Sequence, residues 1–262
     1  WTADMAPTLT IPDLAGKAVL ITGASTGIGA ALAIAMGAPG AKIAVHYNSS
    51  EADARQVVET IGKAGGDAVA LKADVTDVGQ TTKLVEDAAK HFGRLDGLVN
   101  NAGLMVERRS YADMSEELYD EVMNLNARSV IFATKAAIPW LKKQGGFVIN
   151  TTSIAARNGA SGGAGLYGSS KAFVSNVTRG MSKELIPFKI RVNAVAPGFI
   201  ETKFHDRYST DAQRAAALTT IPQGRLGTAE DCVGAYLFLA SDALSGYIIG
   251  QVVEVNGGQL MP

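Results

Sequence analysis

Three residues in the middle of the chain carry side chains that together can move a proton to or from an oxygen atom. Tyr167 and Lys171 stand four residues apart in the segment YGSSK, and Ser153 lies fourteen residues before Tyr167. A four-residue step places two side chains on the same face of a helix, one turn apart. Because an ammonium beside a phenol favours the phenolate, we expect Lys171 to lower the pKa of Tyr167 from about 10 towards neutrality.

These three groups suit hydride chemistry at a carbon–oxygen bond. A phenol with a lowered pKa can protonate a carbonyl oxygen or accept the proton of an alcohol, while the Ser153 hydroxyl hydrogen-bonds the same oxygen. The tyrosine–lysine spacing alone is weak support, because a chain of this composition contains it by chance about 0.35 times. An ordinary pair on a helix surface is the alternative. The rest of the sequence decides between the two.

The composition restricts the class of protein. The chain has 262 residues, of which 47% are hydrophobic and 19% charged, and this is typical of a globular α/β domain with an ample core. A net charge of −1 gives no basic surface for nucleic acid. No apolar run reaches the roughly 18 residues of a membrane span, and the first twelve residues lack the pattern of a signal peptide. We therefore expect a cytoplasmic protein with no membrane or nucleic-acid partner.

Metal and disulfide chemistry are not indicated either. The single cysteine, Cys232, excludes an internal disulfide and a cysteine metal cluster, and its apolar neighbours indicate a packed helix. His46, His91 and His205 are scattered without the spacing of metal ligands, so we predict no metal site.

Short β-branched segments alternate with helical patterns along the whole chain. The predicted strands cover residues 18–22, 42–47, 68–72, 95–99, 147–151, 190–194 and 251–255, and the predicted helices cover 27–36, 51–64, 77–92, 115–141, a segment through 167–185, and 229–240. This alternation predicts an α/β fold, a single doubly wound Rossmann-type parallel sheet of about seven strands with helices on both faces.

The predicted organisation is one domain with a short extension. Residues 1–14 are predicted to be an N-terminal extension, of which 1–4 are interpreted as a cloning remnant before Met5, and residues 15–262 form a single dinucleotide-binding and catalytic domain. The polar and poorly periodic region 198–228 follows the carboxyl end of a strand, where ligands bind in such sheets, so we interpret it as a lid. An irregular surface loop is the alternative.

A glycine-rich segment, TGASTGIG, follows the first predicted strand and opens the first predicted helix. Gly23 permits a sharp turn, Gly27 lets the backbone approach a pyrophosphate, and Gly29 permits close packing of helix on strand. Free N–H groups at the helix start favour phosphates. A turn without a ligand is the alternative, but the position between strand and helix favours dinucleotide binding. Ser25, Thr26 and Ile28 belong to the same predicted site.

The end of the second strand bears on the choice of dinucleotide. A carboxylate there binds the ribose hydroxyl of NAD, whereas this chain has HYNSS before its first acidic residue, Glu51. Tyr47, Asn48 and Ser49 could hydrogen-bond the additional phosphate of NADP. We therefore predict NADP as the cofactor, with NAD as the alternative. A further alternative is that these residues only form a turn and bind no ligand.

In their order along the chain, these motifs are similar to those of a known family. With the glycine segment, the sequence NNAG at 100–103, Ser153, Tyr167 and Lys171, the chain resembles the short-chain dehydrogenase/reductase family of the compact type, most closely its 3-oxoacyl-acyl-carrier-protein reductases. The similarity runs from about residue 17 to residue 258. One departure is the interval from Ser153 to Tyr167, which is fourteen residues rather than the common thirteen. We interpret the extra residue as lying in the glycine-rich segment 159–165, and we expect it to alter the substrate pocket rather than the chemistry.

The resemblance implies roles for individual residues. Tyr167 is expected to be the general acid in carbonyl reduction and the base in alcohol oxidation, and Lys171 to bind the nicotinamide ribose. Ser153 would orient the reacting oxygen, and Asn126 would hold a water linked to Lys171. The implied cofactor contacts also include Asp74 to the adenine amine, Thr202 to the carboxamide, and Val75, Asn101, Ala102, Gly103, Pro197, Gly198 and Ile200.

The implied function is that of an NADP-dependent oxidoreductase acting on a small carbonyl or secondary alcohol. A 3-oxoacyl thioester, including a carrier-bound acyl chain, is the leading substrate. A sugar or polyol dehydrogenase and a cofactor-binding regulator without turnover are the alternatives. A homotetramer is expected because apolar residues exceed the needs of one sheet face (Val130, Phe132, Phe173, Val174). Scattered basic residues could meet an acidic carrier (Arg108, Arg109, Arg128, Arg157, Arg179), and the lid residues His205, Arg207 and Tyr208 could touch substrate.

Overall fold

Seven parallel strands form the centre of the protein. The computed structural model describes residues 11–261, in which the strand order is β3-β2-β1-β4-β5-β6-β7. The strands are β1 (Ala18–Ile21), β2 (Lys42–Tyr47), β3 (Asp67–Lys72), β4 (Gly97–Asn100), β5 (Gly146–Thr151), β6 (Ile190–Pro197) and β7 (Val252–Val255). The predicted doubly wound sheet is therefore confirmed. The predicted remnant at residues 1–4 lies outside the described residues.

Helices cover both faces of this sheet. They are α1 (Gly27–Gly37), α2 (Glu51–Lys63), α3 (Val78–Phe92), α4 (Glu116–Met123), α5 (Ser129–Leu141), α6 (Ala155–Asn158), α7 (Gly165–Leu185), α8 (Lys203–Tyr208), α9 (Asp211–Leu218), α10 (Ala229–Ala240) and α11 (Asp242–Ser245). No helix of residues 11–261 has both the length and the apolar character that crossing a bilayer requires.

The five inner strands are buried on both faces, as their continuous apolar runs predict, whereas the edge strands β3 and β7 are only partly buried. In β1, Val19 and Ile21 belong to one apolar core together with α1, α2 and α10, whereas Leu20 belongs to a second core together with α3 and α5. Successive side chains of β1 therefore pack against the helices on opposite faces of the sheet, and this packing positions the carboxyl end of the strand.

The order of the strands determines where a ligand can bind. β2 and β4 flank β1 on opposite sides, so the chain turns in opposite directions after β1 and after β4. The loops that follow these two strands separate at this point and leave a crevice at the carboxyl edge of the sheet. Residues 22–29 and 101–103 occupy the two sides of the crevice.

Two predictions about the elements are wrong in detail. The helix predicted over 115–141 is interrupted by a π-helical turn, Asn124–Arg128, which separates α4 from α5. Region 198–228 is not irregular, because it contains α8 and α9, and the Thr210 side chain caps α9. Its base is fastened by a β-bridge between Ile200 and Gly227.

The described part of the predicted extension packs against the domain. Ile11 and Leu14 are buried in the first apolar core, and the Asp13 carboxylate accepts hydrogen bonds from Ser241 and from the backbone N–H groups of Asp242 and Ala243. Burial raises the pKa of Asp13, but these hydrogen bonds and Lys17 outweigh it, so the pKa lies below its usual value. Residues 11–14 are thus part of the domain.

Candidate active site

The glycine-rich loop after β1 has a shape that only glycine permits at two positions. Gly23 has φ of +62°, and a Cβ there would lie 2.9 Å from the Cα of Ala102. A Cβ at Gly29 would lie 2.3 Å from the carbonyl oxygen of Gly23. Added side chains would therefore collide with backbone, and the loop can only close around the start of α1 if both residues are glycine.

The start of α1 is open to a ligand. Thr26 precedes the helix but its side chain makes no capping hydrogen bond, so it satisfies none of the first free N–H groups. These N–H groups and the positive end of the helix dipole suit a pyrophosphate. The residues present therefore fit a dinucleotide, with Gly23, Ser25, Thr26, Gly27 and Ile28 lining the cleft.

His46 holds this loop in place. Its side chain is 2% exposed, its Nδ1 accepts a hydrogen bond from the Gly23 N–H at 2.9 Å, and its Nε2 lies 3.1 Å from the Ala73 carbonyl oxygen. Both bonds form only in the neutral tautomer with the proton on Nε2. Burial lowers the pKa of His46 and so keeps the ring neutral. The structure therefore gives His46 a structural role in holding the glycine loop.

The loop after β4 completes the other side of the crevice. Asn101 Nδ2 donates to the carbonyl oxygens of Thr22 and Gly23, at 3.0 Å each. A Cβ at Gly103 would lie 2.6 Å from Asn126 Oδ1 and 2.9 Å from Lys171 Nζ. Asn101 therefore fixes the two loops together, and Gly103 leaves the room that Lys171 and Asn126 occupy.

The end of β2 presents polar groups to the cleft. Asn48 and Ser49 are exposed there, whereas Tyr47 is largely buried, and all three line the cleft. Asp74 also lines it, with Val75 beside it. The Asp74 carboxylate accepts from the N–H and the hydroxyl of Thr76, so it does not cap α3. Asp77 is the residue that caps α3, by accepting from the Gln80 N–H.

Ser153, Tyr167 and Lys171 converge on the same cleft, which has a volume of about 950 Å³. Ser153 follows β5, and the other two lie one turn apart on α7. Lys171 Nζ donates to the Thr151 carbonyl oxygen at 3.0 Å and lies 5.8 Å from the centre of the Tyr167 ring. The structure thus brings the three predicted catalytic side chains together.

The expected effect of Lys171 on Tyr167 is wrong for this geometry. Burial raises the pKa of Tyr167 to about 12, and the neighbouring Ser153 hydroxyl opposes this only in part. Burial lowers the pKa of Lys171 to about 8. The Lys171 ammonium donates to the Thr151 carbonyl oxygen, and burial determines the direction of both shifts, so at neutral pH the phenol keeps its proton and the amine remains charged.

Asn126 lies behind Lys171 on the π-helical turn. Its side chain is fully buried, and its Nδ2 donates to the carbonyl oxygens of Leu104 and Val122. Its Oδ1 is buried without a hydrogen-bond partner in the described residues. The wider π turn turns the amide inward and leaves a free acceptor beside the lysine.

Residues of region 198–228 form part of the cleft wall. Thr202 directly precedes α8, and a Cβ at Gly27 would lie 3.3 Å from its Cγ2, so the region contacts the glycine loop. The Phe204 ring lies 5.6 Å from the Tyr167 ring. Pro197, Gly198, Ile200 and Thr202 all line the cleft. Of the predicted site residues, only Gly29 and Asn126 do not, and both are buried beside it.

The predicted basic residues do not form one patch. Arg108 lines the cleft, whereas Arg109 pairs with Glu107 and Arg157 with Glu254. Arg128 lies over the Phe132 ring. His205, Arg207 and Tyr208 also line the cleft. Nothing local in the sequence distinguishes Arg108 from its neighbour Arg109. The position of His46 could have been inferred, because β1 and β2 pair with Ile21 opposite Val45, and the next residue of β2 then lies beside the glycine loop.

No group of His, Cys, Asp and Glu residues within 11–261 is arranged to hold a metal ion. Cys232 is buried, and burial raises the pKa of its thiol to about 12, so it packs as an apolar residue.

The chain is similar to known proteins over nearly its whole length. The family model described as enoyl-(acyl carrier protein) reductase matches residues 23–259. An oxidoreductase of Methylorubrum extorquens is 39% identical over 247 residues, with 94% of this chain and 98% of the relative covered. The 3-oxoacyl-[acyl-carrier-protein] reductase of Synechocystis sp. is 38% identical over 249 residues, with 95% and 98% covered.

Solved structures of related proteins are also similar to this chain. The NADH-dependent reductase A1-R′ responsible for alginate metabolism is 39% identical with a TM-score of 0.89, and 95% of this chain and 99% of that chain are covered. That reductase has been solved in complex with NAD. A short-chain dehydrogenase of Burkholderia cenocepacia in complex with NADP is 34% identical with a TM-score of 0.89, and 94% and 99% are covered. With the crevice, the glycine loop and the tyrosine–lysine pair in place, the chain belongs to the short-chain dehydrogenase/reductase family of nicotinamide-dependent oxidoreductases.

Proposed function

We propose that this protein reduces a carbonyl group to a secondary alcohol, with Tyr167 as the proton donor, and catalyses the reverse oxidation by the same groups. The main support is the convergence of Ser153, Tyr167 and Lys171 in the cleft that the glycine loop also lines. A bound nicotinamide cofactor supplies the hydride in such a reaction. The chain's own residues align the reacting oxygen and handle the proton.

The protonation states suit the reductive direction. With a pKa of about 12, the Tyr167 phenol carries its proton at neutral pH and can pass it to the developing alkoxide. The Ser153 hydroxyl donates to the same oxygen, and the charged Lys171 stabilises the phenolate that remains. Asn126 Oδ1 is a buried acceptor close to Lys171 Nζ, so we assign to Asn126 the water through which the proton is replaced.

We propose NADP as the cofactor. Asn48 and Ser49 expose neutral polar groups where NAD-binding chains carry a carboxylate. The two carboxylates at the start of α2 are occupied, because Glu51 pairs with Arg55 and Asp53 with Lys203. Repulsion of a ribose phosphate is therefore weakened. NAD is the second candidate, favoured by the NADH-dependent reductase among the similar structures.

Two substrate classes have specific support. A 3-oxoacyl thioester, free or carrier-bound, is favoured by similarity to the Synechocystis reductase. A sugar-derived carbonyl is favoured by similarity to the reductase of alginate metabolism. A cofactor-binding regulator is disfavoured, because the three catalytic side chains are all present in the cleft.

A labelled cofactor tests this function directly. The purified protein is incubated with NADPH that carries deuterium on the reacting ring carbon, together with simple ketones, 3-oxoacyl thioesters and oxo sugars, and the alcohol products are analysed by mass spectrometry. We expect one deuterium in the alcohol from at least one substrate class. Binding of NADPH without a labelled alcohol from any class would contradict the proposal and favour a cofactor-binding regulator without turnover.

We also propose a cytoplasmic homotetramer. Phe173 on α7 is 41% exposed, and Phe132 on α5 is partly exposed, as expected of a subunit contact. Val130 and Val174, predicted to contribute, are instead buried within the subunit. Light scattering at micromolar concentration is expected to give four times the chain mass, and a monomer would contradict the assembly.

A further inference from the structure

We infer, on the basis of the proposed carbonyl reduction, that Arg108 and Gln213 form an anion-binding subsite, so that the preferred substrate carries a carboxylate several bonds from its carbonyl group. Both side chains line the cleft. They come from different elements, since Arg108 follows β4 by eight residues and Gln213 lies on α9.

Hydrogen bonds hold the Arg108 guanidinium in place but engage only part of its N–H donors. Its Nε donates to the Tyr208 carbonyl oxygen at 2.8 Å, and its Nη1 donates to the carbonyl oxygens of Ser161 and Gly162 at 3.2 and 3.0 Å. A guanidinium has five N–H groups, and the two on Nη2 have no protein partner within the described residues. Arg108 is therefore a rigid donor with two N–H groups to spare.

Arg108 also lacks a carboxylate partner among residues 11–261. Other arginines of the chain have one, such as Arg109 with Glu107, Arg214 with Asp206 and Arg225 with Asp231. Partial burial lowers the pKa of Arg108, and no neighbouring carboxylate raises it. A partly buried guanidinium that is charged and unneutralised favours an anionic ligand.

Gln213 adds a second oriented donor. Its Oε1 accepts from the Thr210 N–H at 2.9 Å, and this bond directs its Nε2 away from the helix cap. A Cβ at Gly162 would lie 3.6 Å from Arg108 Nη1 and 3.8 Å from Gln213 Nε2, so the two donors are neighbours. No hydrogen bond from Nε2 occurs in the described part of the chain.

Contacts between aromatic rings relate this subsite to the reacting centre. The Tyr167 ring contacts Phe204 at 5.6 Å between ring centres, and Phe204 contacts Tyr208 at 5.0 Å. Arg108 binds the backbone of Tyr208. Two successive ring contacts therefore separate the subsite from the Tyr167 side chain. A substrate that binds at both places needs several bonds between its carboxylate and its carbonyl group.

The charges at this end of the cleft favour an anion. His205 is neutral at pH 7, because burial and the positive charges of Arg214 and Arg108 lower its pKa to about 4. Arg207 is exposed and also lines the cleft, and Glu121 is the opposing carboxylate at this end. Arg214 pairs with Asp206 at 2.7 Å and with Glu201 at 4.0 Å, so it adds no free positive charge. Arg108 and Arg207 are the cleft-lining cations at this end without a carboxylate partner among the described residues, and Glu121, which acts on Tyr208, opposes them.

The turn that holds Arg108 is built from unusual backbone. Gly159, Ala160, Gly162 and Gly163 all have positive φ. In this segment the carbonyl oxygens of Ser161 and Gly162 are directed at the guanidinium.

Matched pairs of substrates test the subsite. With NADPH in excess, kcat/KM is measured for 4-oxopentanoate, 5-oxohexanoate and 6-oxoheptanoate and for their methyl esters, which differ from the acids in charge. We expect the wild-type protein to prefer at least one acid over its ester by about 10- to 100-fold, as a charge-assisted hydrogen bond would provide.

Two substitutions separate recognition from folding. Arg108→Gln removes the charge, and Gln213→Glu keeps the acceptor for Thr210 but places a carboxylate beside Arg108. Both are expected to lower kcat/KM for the acid by about 10- to 100-fold and for the ester by less than about threefold. Arg109→Gln, which alters an exposed neighbour outside the cleft, is expected to change neither value.

The outcomes distinguish the two levels of inference. Turnover of the esters without a preference for any acid, or a preference that survives both Arg108→Gln and Gln213→Glu, would overturn the anion subsite while leaving carbonyl reduction intact. A loss that is equal for acid and ester in both variants would also overturn it, since this is the mark of a merely structural role. If no acid or ester is reduced while other ketones are, the subsite is wrong; if no carbonyl compound is reduced at all, carbonyl reduction itself is wrong and the subsite falls with it.

Discussion

His46 should be responsible for a measurable part of the protein's stability and of its dependence on pH. The perturbation is His46→Ala, with His46→Asn as the matched variant. The alanine leaves the buried Ala73 carbonyl oxygen and the partly buried Gly23 N–H without their partner. Each unsatisfied group costs about 1–3 kcal/mol, so we expect a loss of about 2–6 kcal/mol in the free energy of unfolding.

The asparagine variant removes only part of this interaction. Its Oδ1 can stand where Nδ1 of the histidine accepts from Gly23, but it offers nothing to Ala73. We therefore expect about half the loss seen with alanine. Urea unfolding followed by circular dichroism, at one fixed protein concentration, measures both values. Because the Gly23 loop is loosened, the Kd for NADPH should also rise in the alanine variant, by about tenfold or more.

The pH dependence follows from the direction of the pKa shift. Burial lowers the pKa of His46 below its ordinary 6.5, so below pH 6.5 the unfolded chain binds a proton that the folded chain does not. The stabilisation from neutral His46 is complete above pH 6.5 and is lost as the pH falls, by about 1.4 kcal/mol per pH unit. His205, with its pKa lowered to about 4, contributes in the same direction, so the difference between wild type and His46→Asn isolates His46.

Two results would refute this account of His46. One is a loss of less than about 1 kcal/mol in His46→Ala, which would mean that the two backbone groups do not depend on the ring. The other is a wild-type slope between pH 5 and 6.5 that persists unchanged in His46→Asn.

Three further changes test the cofactor site and the lysine. Asn48→Asp should lower kcat/KM with NADPH relative to NADH by about 10- to 100-fold, because it restores a carboxylate at the ribose; an unchanged ratio would place the ribose elsewhere. Gly103→Ala should lower kcat by about 100-fold or more, since its Cβ would lie 2.6 Å from Asn126 Oδ1 and 2.9 Å from Lys171 Nζ, whereas Gly62→Ala meets nothing within 4 Å and serves as the control. Reduction should decline above pH of about 8 as buried Lys171 loses its proton, and a profile that stays level to pH 10 would contradict this role.

The fold was predictable because its signals are local and repeated. Buried parallel strands read as continuous apolar runs, and the glycine loop stands between a strand and a helix, so their order alone implies the crevice. The bounds of the seven strands differ from the prediction by at most three residues, whereas α8 and α9 were not predicted. The proximity of Tyr167 and Lys171 was predictable for the same reason, since one helix turn places both on one face, and Ser153 joins them at the carboxyl end of β5.

The remaining features depend on contacts between distant segments. The π turn at 124–128 adds one residue to a helical turn, and no residue type marks it. The pKa of Tyr167 depends on burial, which the pair of residues does not encode, so the expected lowering became a rise to about 12. The position of Arg108 is fixed by carbonyl groups at 161, 162 and 208, which lie more than fifty residues away in sequence.

The most direct test of the account is the Tyr167→Phe variant under single-turnover conditions. Phenylalanine keeps the ring that packs on Phe204 and removes only the hydroxyl. We expect the rate of hydride transfer to a carbonyl substrate to fall by about 10²- to 10⁴-fold, with the Kd for NADPH within about threefold of wild type. A variant that binds NADPH normally and keeps more than about a tenth of the wild-type rate would show that the Tyr167 hydroxyl is not the proton donor.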